Sequence, residues 1–150
     1  MALCEIIDHG KRFGKKLHQP SSKSQLAQMR TAKIAIVDDD EAVREAMKLL
    51  MRSLGYHAST FASADEFLNS EQLDDTSLLI TDVQMPGLSG IELQDWLIAR
   101  GHRIPIIFIT AFSDENVRIR AMKAGALAFL TKPIDPHQLV DHLEKALKAA

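Results

Sequence analysis

The chain is 150 residues long, the size of one ordinary domain. Its 18 basic and 20 acidic side chains leave a formal net charge of −2, which excludes a chain-wide basic footprint for nucleic acid. Hydrophobic residues make up 46%, enough to fill one core, and the single cysteine, Cys4, excludes an internal disulfide and a multi-cysteine zinc site.

No apolar run reaches the roughly 20 residues of a membrane span. Glu5 and Asp8 stand where a secretory signal would place its apolar stretch, so a cytoplasmic protein without membrane contact is the expectation. Charge is unevenly spread. Residues 1–32 hold six basic and two acidic side chains, whereas residues 33–150 hold 12 and 18. The first segment contains Pro20, Ser21 and Ser22 and only weak helical periodicity, so it reads as a basic, flexible or partly helical extension. A start at Met29 is an alternative reading of the same stretch.

From Lys33 onward, short apolar runs alternate with helical patterns. Ile34 to Val37 is the first run and ends in Asp38, Asp39 and Asp40. Val43, Met47, Leu50 and Leu54 follow at helical spacing, and Gly55 stands where a helix end needs positive φ. Tyr56 to Phe61 reads as the second strand. Ser63 and Glu66 form a capping-box pattern before a short helix with Phe67 and Leu68. Leu78 to Thr81 is the third run, ending in Asp82. Ser89 and Glu92 make a second capping box, with Leu93, Trp96 and Leu97 behind it. Pro105 to Thr110 is the fourth run. Ser113 is expected to open the next helix, with Asp114 and Glu115 in its first turn, and that helix is poor in large apolar residues. Leu127 to Thr131 is the fifth run. Asp135 and Pro136 cap and start a last helix that turns Leu139, Leu143 and Leu147 inward.

Five strand–helix units of this kind, with continuous rather than alternating apolar strands, predict an α/β fold with a doubly wound parallel sheet. In such sheets the functional crevice lies beyond the carboxyl ends of the strands. Those ends are polar here: Asp38 and Asp39, then Asp82, then Thr110, then Thr131 followed by Lys132 and Pro133. Singly, an Asp after a strand more often caps a helix, and Lys-Pro more often makes a turn. Their recurrence at one end of successive strands changes the odds. Three crowded carboxylates repel unless a cation joins them, which points to a hard divalent ion, Mg²⁺ above all. Carboxylate, Mg²⁺, lysine and hydroxyl together suit phosphoryl transfer onto a carboxylate.

The segment Asp82-Val83-Gln84-Met85-Pro86-Gly87-Leu88-Ser89-Gly90 resembles the D-x-x-M-P-x-x-x-G signature of the receiver domains of two-component response regulators. The acidic pair after the first strand, Ile109-Thr110-Ala111 and Leu130-Thr131-Lys132-Pro133 match the same family in order and spacing, so the resemblance spans Lys33 to about Leu147. The local wording resembles the nitrogen-fixation regulator type. The resemblance implies a flavodoxin-like sheet of order 2-1-3-4-5 with five helices, and a receiver domain over residues 33–150. It implies that Asp82 accepts the phosphoryl group from a sensor histidine kinase or phosphotransfer protein. Asp39, Asp82 and the main-chain carbonyl of Gln84 would ligate Mg²⁺, with Asp38 acting through a water. Lys132 would pair with the phosphoryl oxygens, Thr110 would hydrogen-bond them, and small Ala111 would leave room. The Lys132–Pro133 bond would be cis. Thr110 and Phe129 would form the switch, and the face made by the fourth helix, fifth strand and fifth helix would serve output or a homodimer. On this reading the chemistry is self-directed, and the chain makes no direct contact with nucleic acid.

Two other readings compete. A haloacid-dehalogenase-type phosphatase also uses a strand-end Asp, Mg²⁺ and a lysine, and Asp38-x-Asp40 fits its D-x-D start. However, it expects Thr or Val where Ala42 stands. A receiver-shaped binding module that is never phosphorylated usually lacks one of the acid pair, the threonine or the lysine, and all are present. Neither kinase nor stimulus is named by the residues, and both a free-standing receiver and a piece of a longer regulator fit them.

Overall fold

Each apolar run becomes a strand because its side chains are buried between two layers of helices. The computed structural model describes residues 32–148. In chain order these form β1 (Lys33–Val37), α1 (Glu41–Ser53), β2 (His57–Phe61), α2 (Ala64–Leu68), a 3₁₀ turn (Leu73–Asp75), β3 (Leu78–Asp82), α3 (Gly90–Ala99), β4 (Ile106–Thr110), α4 (Glu115–Lys123), β5 (Ala128–Thr131) and α5 (Pro136–Lys148). All pairings are parallel and the order is β2-β1-β3-β4-β5. The expected doubly wound, flavodoxin-like sheet with five α-helices is therefore present. The basic extension lies outside the described residues, apart from Ala32.

Two cores flank the sheet. Met47, Leu50 and Met51 of α1 and Leu139, Val140 and Leu143 of α5 pack with Ile34, Ile36, Ile80 and Ile109 on one face. On the other, Phe67 of α2, Leu93 and Leu97 of α3 and Ala121 of α4 pack with Ala35, Leu79 and Phe108. β3 and β4 are buried throughout, as continuous apolar runs require. The edge strands depart from this: Ala58, Ser59 and Thr60 of β2 and Phe129 and Leu130 of β5 are only half-buried, because each has a neighbour on one side only.

Helix starts follow the capping chemistry, with two adjustments. Ser89 and Glu92 form the full reciprocal box at α3. At α2 only half of it forms: the Ser63 hydroxyl accepts from Glu66 N, but the Glu66 carboxylate accepts from Ala62 N, one residue early. Ser113 does not cap α4. Asp114 does, its carboxylate accepting from Asn116 N and Val117 N, and a charged acceptor at the positive helix end outdoes a hydroxyl one residue before it. Tyr56, expected within β2, precedes it. Its N–H turns back to Met51 O beyond Gly55, which closes α1 at φ 91°.

Candidate functional site

The parallel register carries the carboxyl ends of β1, β3, β4 and β5 to one edge of the sheet. Val37 pairs with Thr81, Asp82 with Ile109, and Thr110 with Thr131. Asp38, Asp39, Asp82 and Lys132 meet there. One carboxylate oxygen from each of the three acids lies within 4.8 Å of the others, the one such cluster among the described residues. Lys132 Nζ bridges two of them, donating to Asp38 Oδ2 at 3.0 Å and to Asp82 Oδ2 at 3.1 Å.

The three acids differ in environment. Asp38 is fully buried, and every polar atom is used. Its N–H donates to Phe61 O, Oδ1 accepts from Asp40 N at 2.9 Å, Oδ2 accepts from Lys132, and its carbonyl accepts from Arg44 Nη1 at 2.7 Å. Burial holds its carboxyl above the usual carboxylate range, although the Asp40 N–H and Lys132 pull it down. The Asp82 side chain keeps 10% of its surface open, so it is the acid of the bridged pair that an incoming group can reach. Its Oδ1 accepts from Gln84 N at 3.3 Å. Asp39 is exposed, and among the described residues no hydrogen bond holds its carboxylate. Asp40 is the N-cap of α1, accepting from Ala42 N and Val43 N, so it does what a lone strand-end Asp ordinarily does. That capping duty occupies the second acid of the D-x-D alternative.

Lys132 is drawn two ways. Burial lowers an ammonium's pKa, but the bonds and charges of Asp38 and Asp82 outweigh it, and the group titrates above its ordinary value. Its main-chain N–H donates to Thr110 O at 2.8 Å, and the Lys132–Pro133 peptide bond is cis. The Thr110 hydroxyl is buried and turned onto the next loop. It accepts from Phe112 N and donates to Phe112 O, both at 3.1 Å. Gln84 and Ala111 are exposed on the rim. Phe129 is half-buried in β5, its ring 6.0 Å from that of Phe108. Asp38, Asp39, Asp82 and Lys132 are thus brought together, with the Thr110 main chain against Lys132, while Phe129 lies along the neighbouring strand. Arg44 escaped the reading of the residues. Its bond goes to a main-chain oxygen, and an arginine in the first turns of an amphipathic helix carries no signal of that.

A flavodoxin-like sheet whose strand ends gather three acids around one lysine defines the receiver class. The chain belongs to the response regulator receiver domain family, whose family model matches residues 34–144. It is 43% identical over 121 residues to the response regulator protein TodT of Pseudomonas putida, covering 81% of this chain and 53% of that protein. The solved structure of the response regulator StyR superposes with a TM-score of 0.74 at 44% identity, covering 79% of this chain and 60% of that one. The crystal structure of FixJ-N does so with a TM-score of 0.70 at 33% identity, covering 79% and 95%, which agrees with the nitrogen-fixation type of resemblance. The chain spans about half the length of the curated relatives it matches. Among the described residues, no helix is long and apolar enough to cross a membrane.

Proposed function

We propose that this receiver, in the cytoplasm, takes a phosphoryl group onto Asp82 from a phosphohistidine of a sensor histidine kinase or phosphotransfer protein, with Mg²⁺ as cofactor. The observation that carries this reading is the Lys132 ammonium bonded at once to fully buried Asp38 and to Asp82, whose side chain is the less buried of the two, with Asp39 beside them. An Asp82 carboxylate oxygen forms the new O–P bond as the N–P bond of the donor breaks, and the donor imidazole keeps the electron pair and takes a proton. Lys132 releases part of its hold on Asp82 to meet the phosphoryl oxygens. Thr110 turns its hydroxyl from Phe112 toward the new charge, and Ala111 gives that group room.

The donor set fits the cation. Three carboxylates against one ammonium leave a deficit of two positive charges, and all the acids offer hard oxygen ligands. Asp39, Asp82 and the Gln84 carbonyl would hold Mg²⁺, with Asp38 one water away. Bound there, it neutralises charge on the transferring phosphoryl oxygens. The remaining net charge at the site therefore depends on it, and chelation should stop the transfer.

Switching follows from the roughly two negative charges that a phosphoryl group adds beside Thr110 and Lys132. Withdrawing the Thr110 hydroxyl from Phe112 frees the β4–α4 loop, and Phe129 turns into the space vacated. The α4–β5–α5 face, where Ile119 and Met122 are exposed, serves as the output or homodimer surface. The test is incubation of the full chain with acetyl phosphate and Mg²⁺, read by intact mass. The wild type should gain one phosphoryl group, and Asp82→Asn or excess chelator should reduce this at least about 100-fold, as for a lost nucleophile. Undiminished uptake by Asp82→Asn overturns the assignment, and no uptake by the wild type favours the unphosphorylated binding module.

A further inference from the structure

We infer that Arg44 is a positioning residue for the cation site, aiming the Asp39 carboxylate by clamping the peptide that joins Asp38 to Asp39. The inference rests on the reading above that the acid cluster holds Mg²⁺. Among the described residues, Asp39 is the one acid of the three without a hydrogen bond to its carboxylate, so its direction is set by its own backbone. On its amino side is the Asp38–Asp39 peptide, whose oxygen accepts from Arg44 Nη1 at 2.7 Å, a short charge-assisted bond in a half-buried setting. A peptide unit is planar, so fixing that oxygen also fixes the Asp39 N–H and Cα. On its carboxyl side, Asp40 N is held by Asp38 Oδ1 and the Asp40 side chain is held on α1. Arg44 N in turn donates to Asp40 O, so the helix that grips the turn is anchored by it. Arg44 thus closes the side of the turn that no other side chain among the described residues holds.

Charge and position make opposite predictions for this residue. A guanidinium next to an acid cluster repels an incoming cation, so if Arg44 acted through charge, removing it would tighten binding. If it acts by orienting Asp39, removing it weakens binding. The experiment is a titration of the full ¹⁵N-labelled chain with Mg²⁺ alone, followed by the amide shifts of Asp39 and Gln84. Arg44→Met should raise the dissociation constant about tenfold, the range of lost supporting contacts around a metal ligand. Arg44→Lys, which keeps a charge but not the fork, should fall between. In an Asp39→Asn background, Arg44→Met should change affinity less than twofold, since the group it aims is gone. Equal or tighter binding by Arg44→Met, or an undiminished loss in the Asp39→Asn background, overturns the inference. A thermal melt without Mg²⁺ reports whether each variant is folded, and Arg44→Lys carries the test if Arg44→Met is not. If the wild type shows no Mg²⁺-dependent shift while still taking up phosphoryl from acetyl phosphate, the cation assignment fails and this inference with it.

Discussion

The two sides of the cleft are built differently. On the β1–β3 side, Asp38 is buried with both carboxylate oxygens bonded, and α3 begins against the main chain of Asp82. α3 buries Gly90, Ile91, Leu93, Gln94 and Leu97 and starts with a complete capping box. On the β4–β5 side, α4 buries only Ala121, with Val117 half-covered. Its polar ties are the exposed Arg120–Asp95 pair and the Gln94 amide, which donates to Ala121 O. A surface ion pair of this kind contributes little. One side therefore holds its acids still, while the helix on the other is loosely anchored, as the proposed switch requires.

This contrast is open to attack first at Gly90. A Cβ there would lie 2.2 Å from Asp82 O and 3.1 Å from Val83 Cα, both backbone atoms that cannot swing aside. Gly90→Ala is expected to cost upward of about 4 kcal/mol, in the exceptional range for one substitution, measured by urea unfolding. Next come matched truncations on the two helices. Leu93→Ala should cost about 3 kcal/mol, whereas Ile119→Ala, 39% exposed on α4, should stay within about 0.5 kcal/mol. Equal losses would erase the distinction between an anchored and a loose helix.

The last comparison is read in alkali and concerns Lys132, which belongs to the fixed side although it follows β5. Its pKa in the fold lies above 10.5, burial notwithstanding, because Asp38 and Asp82 hold its proton. A group raised in this way contributes its full stabilisation below the unfolded value and loses it as pH rises through the folded one. Wild-type stability should therefore fall more steeply than that of Lys132→Met above about pH 10.5. Tyr56, raised by burial and by Glu144, pulls both proteins down alike, so the difference between the two urea-unfolding curves belongs to Lys132.

Much of this was legible in the residues because the site is an arithmetic consequence of the fold. Once five apolar runs are parallel strands, every residue just past a run lies on one edge, and Asp38, Asp82, Thr110 and Lys132 need only be counted off. What escaped is what depends on direction rather than place. Whether Ser113 or Asp114 caps α4 is a contest between neighbouring acceptors. That the Thr110 hydroxyl folds back on Phe112 is a choice of rotamer. Gln94 occupies a position that an apolar side chain would fill equally well by pattern, and the grip of Arg44 is on the main chain, which every residue offers.

Lys132 stands 94 positions from Asp38 and 50 from Asp82, yet touches both. During synthesis, a chain that has left the ribosome only as far as α4 holds all three acids and no ammonium to reconcile them. The bridge forms only when β5 has added itself to the sheet's edge and brought the lysine home. The proposed site is therefore complete only once the last strand has joined the sheet, and a copy that ends before β5 has the acids without the Lys132 bridge.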